Sequence, residues 1–397
     1  MKRLLALCLL AACKREPEVS APDAAPAVVS TVADEPESAP SSVEDAGANS
    51  GSIEGAVEAL RVPQAKPPRE RTPAAAGKVE IAAGTYLAGS VPGDEGRDPL
   101  LEPMQLAMEQ TRYSIDVLPF PGEVGKAPQL AQSAAEAAQA CQERGARLCS
   151  EWEWERACRG PELDLYVSGE SWDPVCSKEP ATCASGYGAR GLGALREWTQ
   201  GGVRGSAGEG ASAHRCARRG AAGEGAAAFR CCYGDPQAPV KLPEIPEQPA
   251  FRSQRMEDAE LAAIIRTIPE LARIAEAPHF LSAEQAAGAY ARSETSREGI
   301  KFASQPLLWS PERGVEIVVL AGRSKNVGFV LALYPLAGGT YRLASSMLFL
   351  HDSQPIALAY RASSRRELLW TSFWGSRTDE GYISWRAEDK RVVIVQK

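Results

Sequence analysis

Residues 145–161 read GARLCSEWEWERACRGP. Ser150 is a favoured helix N-cap, Glu153 follows three residues on, and Glu151 and Glu153 place negative charge at the positive end of the helix dipole. The pattern predicts a helix that starts after Ser150. Trp154 and Cys158, four apart, share one face and point to the core, while Glu151 and Glu155 share another. Upstream, Ser133 and Glu136 offer a second capping box, for an Ala-rich helix that runs toward Cys141 and Arg144 and stops at Gly145. Two helices joined by a short turn, each with a cysteine at its end, read as elements stapled to something later in the chain. Whether those thiols are reactive or structural depends on the compartment.

The amino terminus speaks to the compartment. In MKRLLALCLLAAC, Lys2 and Arg3 precede a short apolar run, Leu4 to Leu10, too short to span a bilayer as a mature helix. Residues 1–12 therefore read as a signal peptide. Leu10-Ala-Ala-Cys13 is similar to the bacterial lipobox, which implies cleavage before Cys13 and lipidation of its thiol; two or three acyl chains give a durable anchor. The expectation is an exported chain, lipid-anchored to the bacterial envelope on its periplasmic or surface side. From Glu16 to Leu60 there are ten acidic residues, no Lys or Arg, and much Ala, Pro, Ser and Val without helical or alternating period. Such a stretch cannot offset its ordering entropy, so residues 13–78 read as the lipidated cysteine and an extended, disordered tether. Arg61, Lys66, Arg69, Arg71 and Lys78 close it as a solvated basic cluster.

Beyond residue 78 about 320 residues remain, enough for two domains. Cys141, Cys149, Cys158, Cys176, Cys183, Cys216, Cys231 and Cys232 fall within 92 residues, and none lies beyond 232. In an exported chain an even, clustered set argues for four disulfides in one loop-rich domain, residues 79–234. DPQAPVKLPEIPEQP marks a stiff Pro-rich linker at 235–250. A net charge of −7, with no basic stripe carrying interleaved aromatics, argues against nucleic acid as a partner.

The stretch RLCSEWEWERACRGP resembles the R-L-P/C-T-E-A-E-W-E-x-A-x-R-G signature of the formylglycine-generating enzyme family, also called the sulfatase-modifying-factor domain, whose fold is C-type-lectin-like. Val79 to Ser90, VEIAAGTYLAGS, resembles the family's opening strand and G-x-F-x-M-G-S turn. Glu102-Pro103 followed by YSIDVLPFPG resembles E-x-P and F-x-I-D-x-x-P-V. Tyr187-Gly188 to Trp198 resembles Y-G-x-x-D-M-x-G-N-V-x-E-W, and Arg215 to Cys232 the closing R-C-x-x-R to G-F-R-C. The five blocks come in family order across about 155 residues, and their order is stronger than any one block. Gly186 to Gly191 also fits GxGxxG, but no apolar strand leads into it and no helical run follows, so dinucleotide binding is set aside.

Departures from the family pattern bear on chemistry. The resemblance implies two thiols after R-G-G-S-W that hold copper(I) and oxidise a sulfatase cysteine; here Arg204-Gly205-Ser206 leads into AGEGASAH without cysteine. At the family's calcium loop, Ala194 stands for the asparagine and Gly191 for an aspartate, which leaves Glu197 as a single carboxylate. An iron triad, used by another branch, needs three histidines; His214, His279 and His351 are scattered. No GxSxG elbow is present, and a lone serine near a lone histidine reads as loop surface. By the resemblance, Cys141 pairs with Cys231 and Cys158 with Cys216; parity and proximity then pair Cys149 with Cys232 and Cys176 with Cys183. Trp152, Trp154, Trp172 and Trp198 read as core and turn anchors, with Trp172, Trp198 and Arg204 the candidates to face a ligand.

Residues 251–397 carry no motif. Leu261, Ile264, Ile265 and Ile268 recur at helical spacing up to Pro269, Leu271 and Ile274 continue the stripe, and Ser282 with Gln285 caps a further turn. From Gln305 onward, VEIVVLAG, VGFVLALYPL, TYRLASSMLFL, PIALAYRA, ELLWTSFW, GYISWR and RVVIVQ predict an antiparallel meander of six or seven strands with helices on one side, an α+β domain. Trp370, Trp374 and Trp385 are candidates for an aromatic platform, Trp385 more simply a core residue. The sequence reading is an envelope lipoprotein whose enzyme-like domain lacks catalytic residues, cofactor and metal, and binds an envelope protein or a glycan. Its alternative is an active copper oxidase using Cys216 with Cys231 or Cys232; a third reading places the active part in residues 251–397.

Overall fold

The computed structural model describes residues 66–205, 208–220, 225–282, 284–285, 288, 300–303, 305–349, 356–361, 365, 367–374 and 377–396. Cys13, Arg61 and His351 lie outside them, as do the side chains of Trp370 and Trp374. All described residues fall in one compact unit.

Residues 66–77, expected to end the tether, lie hydrogen-bonded along the half that follows. The Arg69 N–H donates to Ser168 O (2.6 Å), the Thr72 N–H to Thr182 O (3.2 Å), and the Arg190 guanidinium to Thr72 Oγ1 (2.7 Å). Arg69 is ion-paired with Asp164 and Arg71 with Asp173 (3.4 Å). Two residues of the basic cluster thus meet specific acids, and hydrogen-bonded chain begins well before residue 79.

The amino-terminal half contains strands β1 (Lys78–Ile81), β2 (Gly84–Ala88), β3 (Leu106–Gln110), β4 (Tyr113–Asp116), β5 (Arg147–Leu148), β6 (Glu197–Thr199), β7 (Gly202–Arg204), β8 (Ala228–Phe229) and β9 (Cys231–Tyr233), with helices α1 (Ala134–Glu143) and α2 (Glu151–Arg159). They make three small sheets, ordered β1-β4-β9-β5, β2-β3 and β7-β6-β8. Helix α2 starts as its sequence predicts: Ser150 Oγ accepts from Glu153 N (3.2 Å) and the Glu153 carboxylate accepts from Ser150 N (2.8 Å). In α1 only one arm of the box forms, because Glu136 reaches back to Gln132 N (2.7 Å) rather than to Ser133. Gly145 follows the end of α1 with φ +69°, the left-handed backbone that favours glycine.

Four disulfides staple this half: Cys141–Cys231, Cys149–Cys232, Cys158–Cys216 and Cys176–Cys183. The first two tie the end of α1 and the cap of α2 to neighbouring residues of β9. The third ties the last turn of α2 to the loop before β8. Elements of two or three residues gain little from their own hydrogen bonds, and cross-links restrict the unfolded chain instead. Every residue from Trp152 to Cys158 is buried, Glu155 included, and Arg204 Nη2 meets the face it shares with Glu151, whose carbonyl accepts at 3.4 Å. The Glu155 carboxylate is paired with Arg204, itself 1% exposed.

The carboxy-terminal half contains helix α3 (Asp258–Arg266), a 3₁₀ turn at Pro269–Ile274, and strands β10 (Phe251–Ser253), β11 (Pro278–His279), β12 (Ile300–Ala303), β13 (Leu307–Trp309), β14 (Ile317–Ser324), β15 (Val327–Pro335), β16 (Tyr341–Phe349), β17 (Ile356–Arg361), β18 (Glu367–Trp374), β19 (Arg377–Arg386) and β20 (Arg391–Gln396). The expected single meander is instead two sheets, β10-β13-β14-β15-β16 with β11 on β14, and β12-β17-β18-β19-β20. Trp309, Val319 and Val330 of the first sheet pack against Leu358, Leu368, Ile383 and Trp385 of the second. Trp385 is thus core. On the first sheet's other face, Val318, Leu320, Phe329 and Leu331 meet Leu261 and Ile265 of α3, and Leu271 of the 3₁₀ turn. The physical reason is β15: from Gly328 to Tyr334 it is buried on both faces, and a strand apolar on both faces needs a layer on each. The α+β class stands; helix, sheet and sheet form its layers. No helix among the described residues is long and apolar enough to cross a membrane.

Candidate functional site

An open cavity of about 590 Å³ lies between two stapled loops of the amino-terminal half. Tyr166, Trp172 and Ser177 line one wall; Glu209, Gly210 and His214 line the other. Each wall is set locally. On the first, the Asp173 carboxylate accepts from Val175 N (2.9 Å) and so caps the 3₁₀ turn Pro174–Ser177, whose Pro174 presets the first φ. The Cys176–Cys183 bridge closes the seven-residue step around that turn, directly beside Ser177. On the second wall, a 3₁₀ turn spans Ala211–His214, and Cys216, two residues further, is bonded to Cys158.

His214 joins the walls. Its Nδ1 lies 2.9 Å from Gly193 O, and since a carbonyl only accepts, Nδ1 carries the proton. In the neutral ring Nε2 is then an acceptor, and the Ser177 hydroxyl donates to it at 3.4 Å. Gly193 has φ +80°, and a Cβ there would sit 2.6 Å from His214 O, so this approach needs glycine. The imidazole stacks on the indole of Trp172 with centroids 4.1 Å apart and planes at 5°, and Tyr166 tilts against the indole at 5.8 Å. Burial, reinforced by Arg218, pushes the imidazole pKa below its ordinary value, against the opposing hydrogen bond to Gly193, which favours the neutral form drawn here. Burial also raises the Tyr166 phenol.

Of the three side chains expected to face a ligand, only Trp172 lines this cavity. Trp198 is buried and its indole N–H donates to Ala131 O (2.9 Å). Arg204 is buried between the Glu155 carboxylate and the carbonyls of Ala217 (3.3 Å) and Arg218 (3.0 Å). Both are corrections, with one cause: each carries a polar group whose partner comes from a distant part of the chain. Ser177 and His214 are the pair that sequence reasoning passed over. Thirty-seven residues separate them, and no spacing rule joins them.

The donor sets for the family's metals do not fit. All eight described cysteines are in disulfides, so no thiolate pair is present for copper(I). Glu197, the one carboxylate that the resemblance leaves for calcium, accepts from Trp154 Nε1 (2.8 Å) and from Arg230 Nε (2.8 Å) and Nη2 (3.0 Å). That carboxylate is already neutralised. Asp173, Cys176 and Cys183 gather ligand-type atoms within 4.8 Å, but the sulfurs are bonded to each other and Asp173 faces Val175 N and Arg71. The GxGxxG-like stretch is a tight turn, with Gly188 N donating to Ser185 O (2.8 Å) and Ser185 N to Ala189 O (2.8 Å). No protein-family model matches the chain, and no curated protein is significantly similar to it in sequence.

Proposed function

We propose that this chain is a lipid-anchored lipoprotein of the bacterial envelope, whose amino-terminal half is a divergent, C-type-lectin-like domain of the formylglycine-generating enzyme type that no longer makes formylglycine. It acts as a binding module, with the cavity between Trp172 and His214 as the place where an envelope protein or a glycan is met. The observation that carries this reading is the state of the cysteines. All eight cysteines among the described residues are joined in four disulfides, an arrangement suited to an oxidising compartment and unsuited to copper(I) chemistry. The five family-like blocks support the lineage, and the signal-like amino terminus with Cys13 supports the anchor.

A thiol count tests the reading. The full chain is exported into an oxidising compartment, denatured without reductant, alkylated and weighed. Residues 14–397 are expected to take up no alkyl group. Two groups, together with copper(I) binding by the native chain, would overturn it in favour of a surviving oxidase built on Cys216 and Cys231 or Cys232.

A further inference from the structure

We propose that Ser177 is a nucleophile activated by His214, and that the cavity between them admits a carboxylic ester. The pair has three properties that a loop-surface contact lacks. The tautomer is fixed, because Gly193 O engages Nδ1 and leaves the Nε2 lone pair aimed at the serine hydroxyl. The imidazole is buried and clamped face to face on Trp172, whereas Ser177 is exposed to the 590 Å³ cavity, so the base is sheltered and the nucleophile is reachable. Both residues are held by staples: Cys176 is the immediate neighbour of Ser177, and Cys216 lies two residues from His214. Covalent fixation on both sides gives the mutual geometry that a nucleophile and its base require. A Ser–His contact of 3.4 Å is long, as such contacts are before substrate tightens them.

The step balances without any cofactor. Ser177 Oγ bonds to the ester carbonyl carbon while Nε2 takes the hydroxyl proton; the bond to the leaving alcohol then breaks, and the alcohol departs with that proton. Water attacks the acyl-serine, Nε2 accepts its proton and returns it to Oγ, and the carboxylic acid leaves. Nothing is oxidised or reduced. The other face of the system selects the substrate: Trp172 already has His214 on its ring, so the acyl or alcohol part meets Tyr166 and the indole edge, an apolar wall. This proposal goes beyond the binding-module reading and does not depend on its lineage. Four intact disulfides with no adduct at Ser177 would overturn this proposal and leave the binding-module reading standing, whereas two alkyl groups would overturn that reading and, with Cys216 free, remove the staple beside His214 as well.

The test uses the full chain with its disulfides intact and a fluorophosphonate, whose P–F bond breaks as Oγ bonds to phosphorus and fluoride leaves. Peptide mapping is expected to find the phosphonate on Ser177 and on no other serine, with no adduct in Ser177→Ala. In His214→Gln the labelling rate is expected to fall by about 100-fold, the lower end of what a positioned general base contributes. Alkylation of the denatured variant, finding no thiol, checks that loss of labelling is not loss of the staples. No adduct at Ser177, labelling spread over exposed serines, or an unchanged rate in a His214→Gln chain with all four disulfides would each overturn the proposal.

Discussion

Glu197 gathers Trp154 Nε1 and two Arg230 nitrogens, all buried, and Arg215 makes a bidentate pair with Glu102 (2.8 and 2.9 Å) across 113 residues. Such pairs add little net stability over an apolar filling, but breaking one leaves an uncompensated buried charge. Glu197→Ala is therefore expected to cost about 3–5 kcal/mol, read as a lowered urea midpoint, and Arg230→Ala a similar amount. If the double variant is less stable than the parent by the sum of the two single losses, the residues are not coupled and the account fails. The sequence offered Glu197 only as the remnant of a calcium loop, since nothing local announces an arginine 33 residues away. His214 yields a second prediction with a definite sign. Burial holds its folded pKa below the unfolded value of about 6.5, so below that pH the unfolded chain binds more protons and stability falls. Arg218 opposes the charged ring, while Glu170 and Glu209, on the cavity rim, are the acids that face it. Between pH 7 and 5 the loss of stability is expected to be shallower in His214→Gln than in the parent; parallel slopes would mean that the imidazole carries no proton penalty.

At the scale of elements, what is local was legible and what is paired was not. Ser150 and Glu153 announce the start of α2 because their two hydrogen bonds span three residues. The burial of Glu155 was not legible, because its partner Arg204 arrives from β7. Strand segments were legible in the carboxy-terminal half, yet a strand pattern cannot say which sheet a strand joins, and β16 and β17, consecutive in the chain, belong to different sheets. Disulfide connectivity is also beyond spacing alone, since eight cysteines allow 105 pairings. The pairs differ in what they do. Cys141–Cys231 closes a separation of 90 residues and Cys176–Cys183 one of seven. With Cys149–Cys232 intact, the path from Cys141 to Cys231 runs through that bridge and is about ten residues long, so loop-closure entropy assigns the two pairs about 2.7 and about 2.4 kcal/mol. Replacing Cys141 and Cys231 by alanine is expected to lower the urea midpoint by about as much as replacing Cys176 and Cys183, with the second change falling on the Ser177 loop. A shift twice as large for the first pair would indicate that Cys149–Cys232 does not already restrain that part of the unfolded chain.

For the whole molecule, the placement of the staples divides two ways of holding a core. Every disulfide among the described residues lies between Cys141 and Cys232, around strands of two to five residues, whereas the carboxy-terminal half has strands of up to ten residues and cores on both faces of its first sheet. The described contacts between the halves include few charged groups: Asp94 pairs with Arg342 at 2.9 Å, and the Tyr334 ring lies so close to Gly93, where φ is +89°, that a Cβ would come within 2.9 Å. Interfaces of this kind rarely lend one half enough energy to carry the other. Amide exchange under reductant and mild urea therefore separates the two cases. Strands β4 and β9 are expected to lose protection while β14 and β15 keep theirs, because removing four loop closures falls on the first half alone. If all four strands opened together, the small contact around Asp94 and Arg342 would have to couple the halves into a single folding unit, and the stapled loops that carry Ser177 and His214 would owe their rigidity to that coupling rather than to their own cysteines.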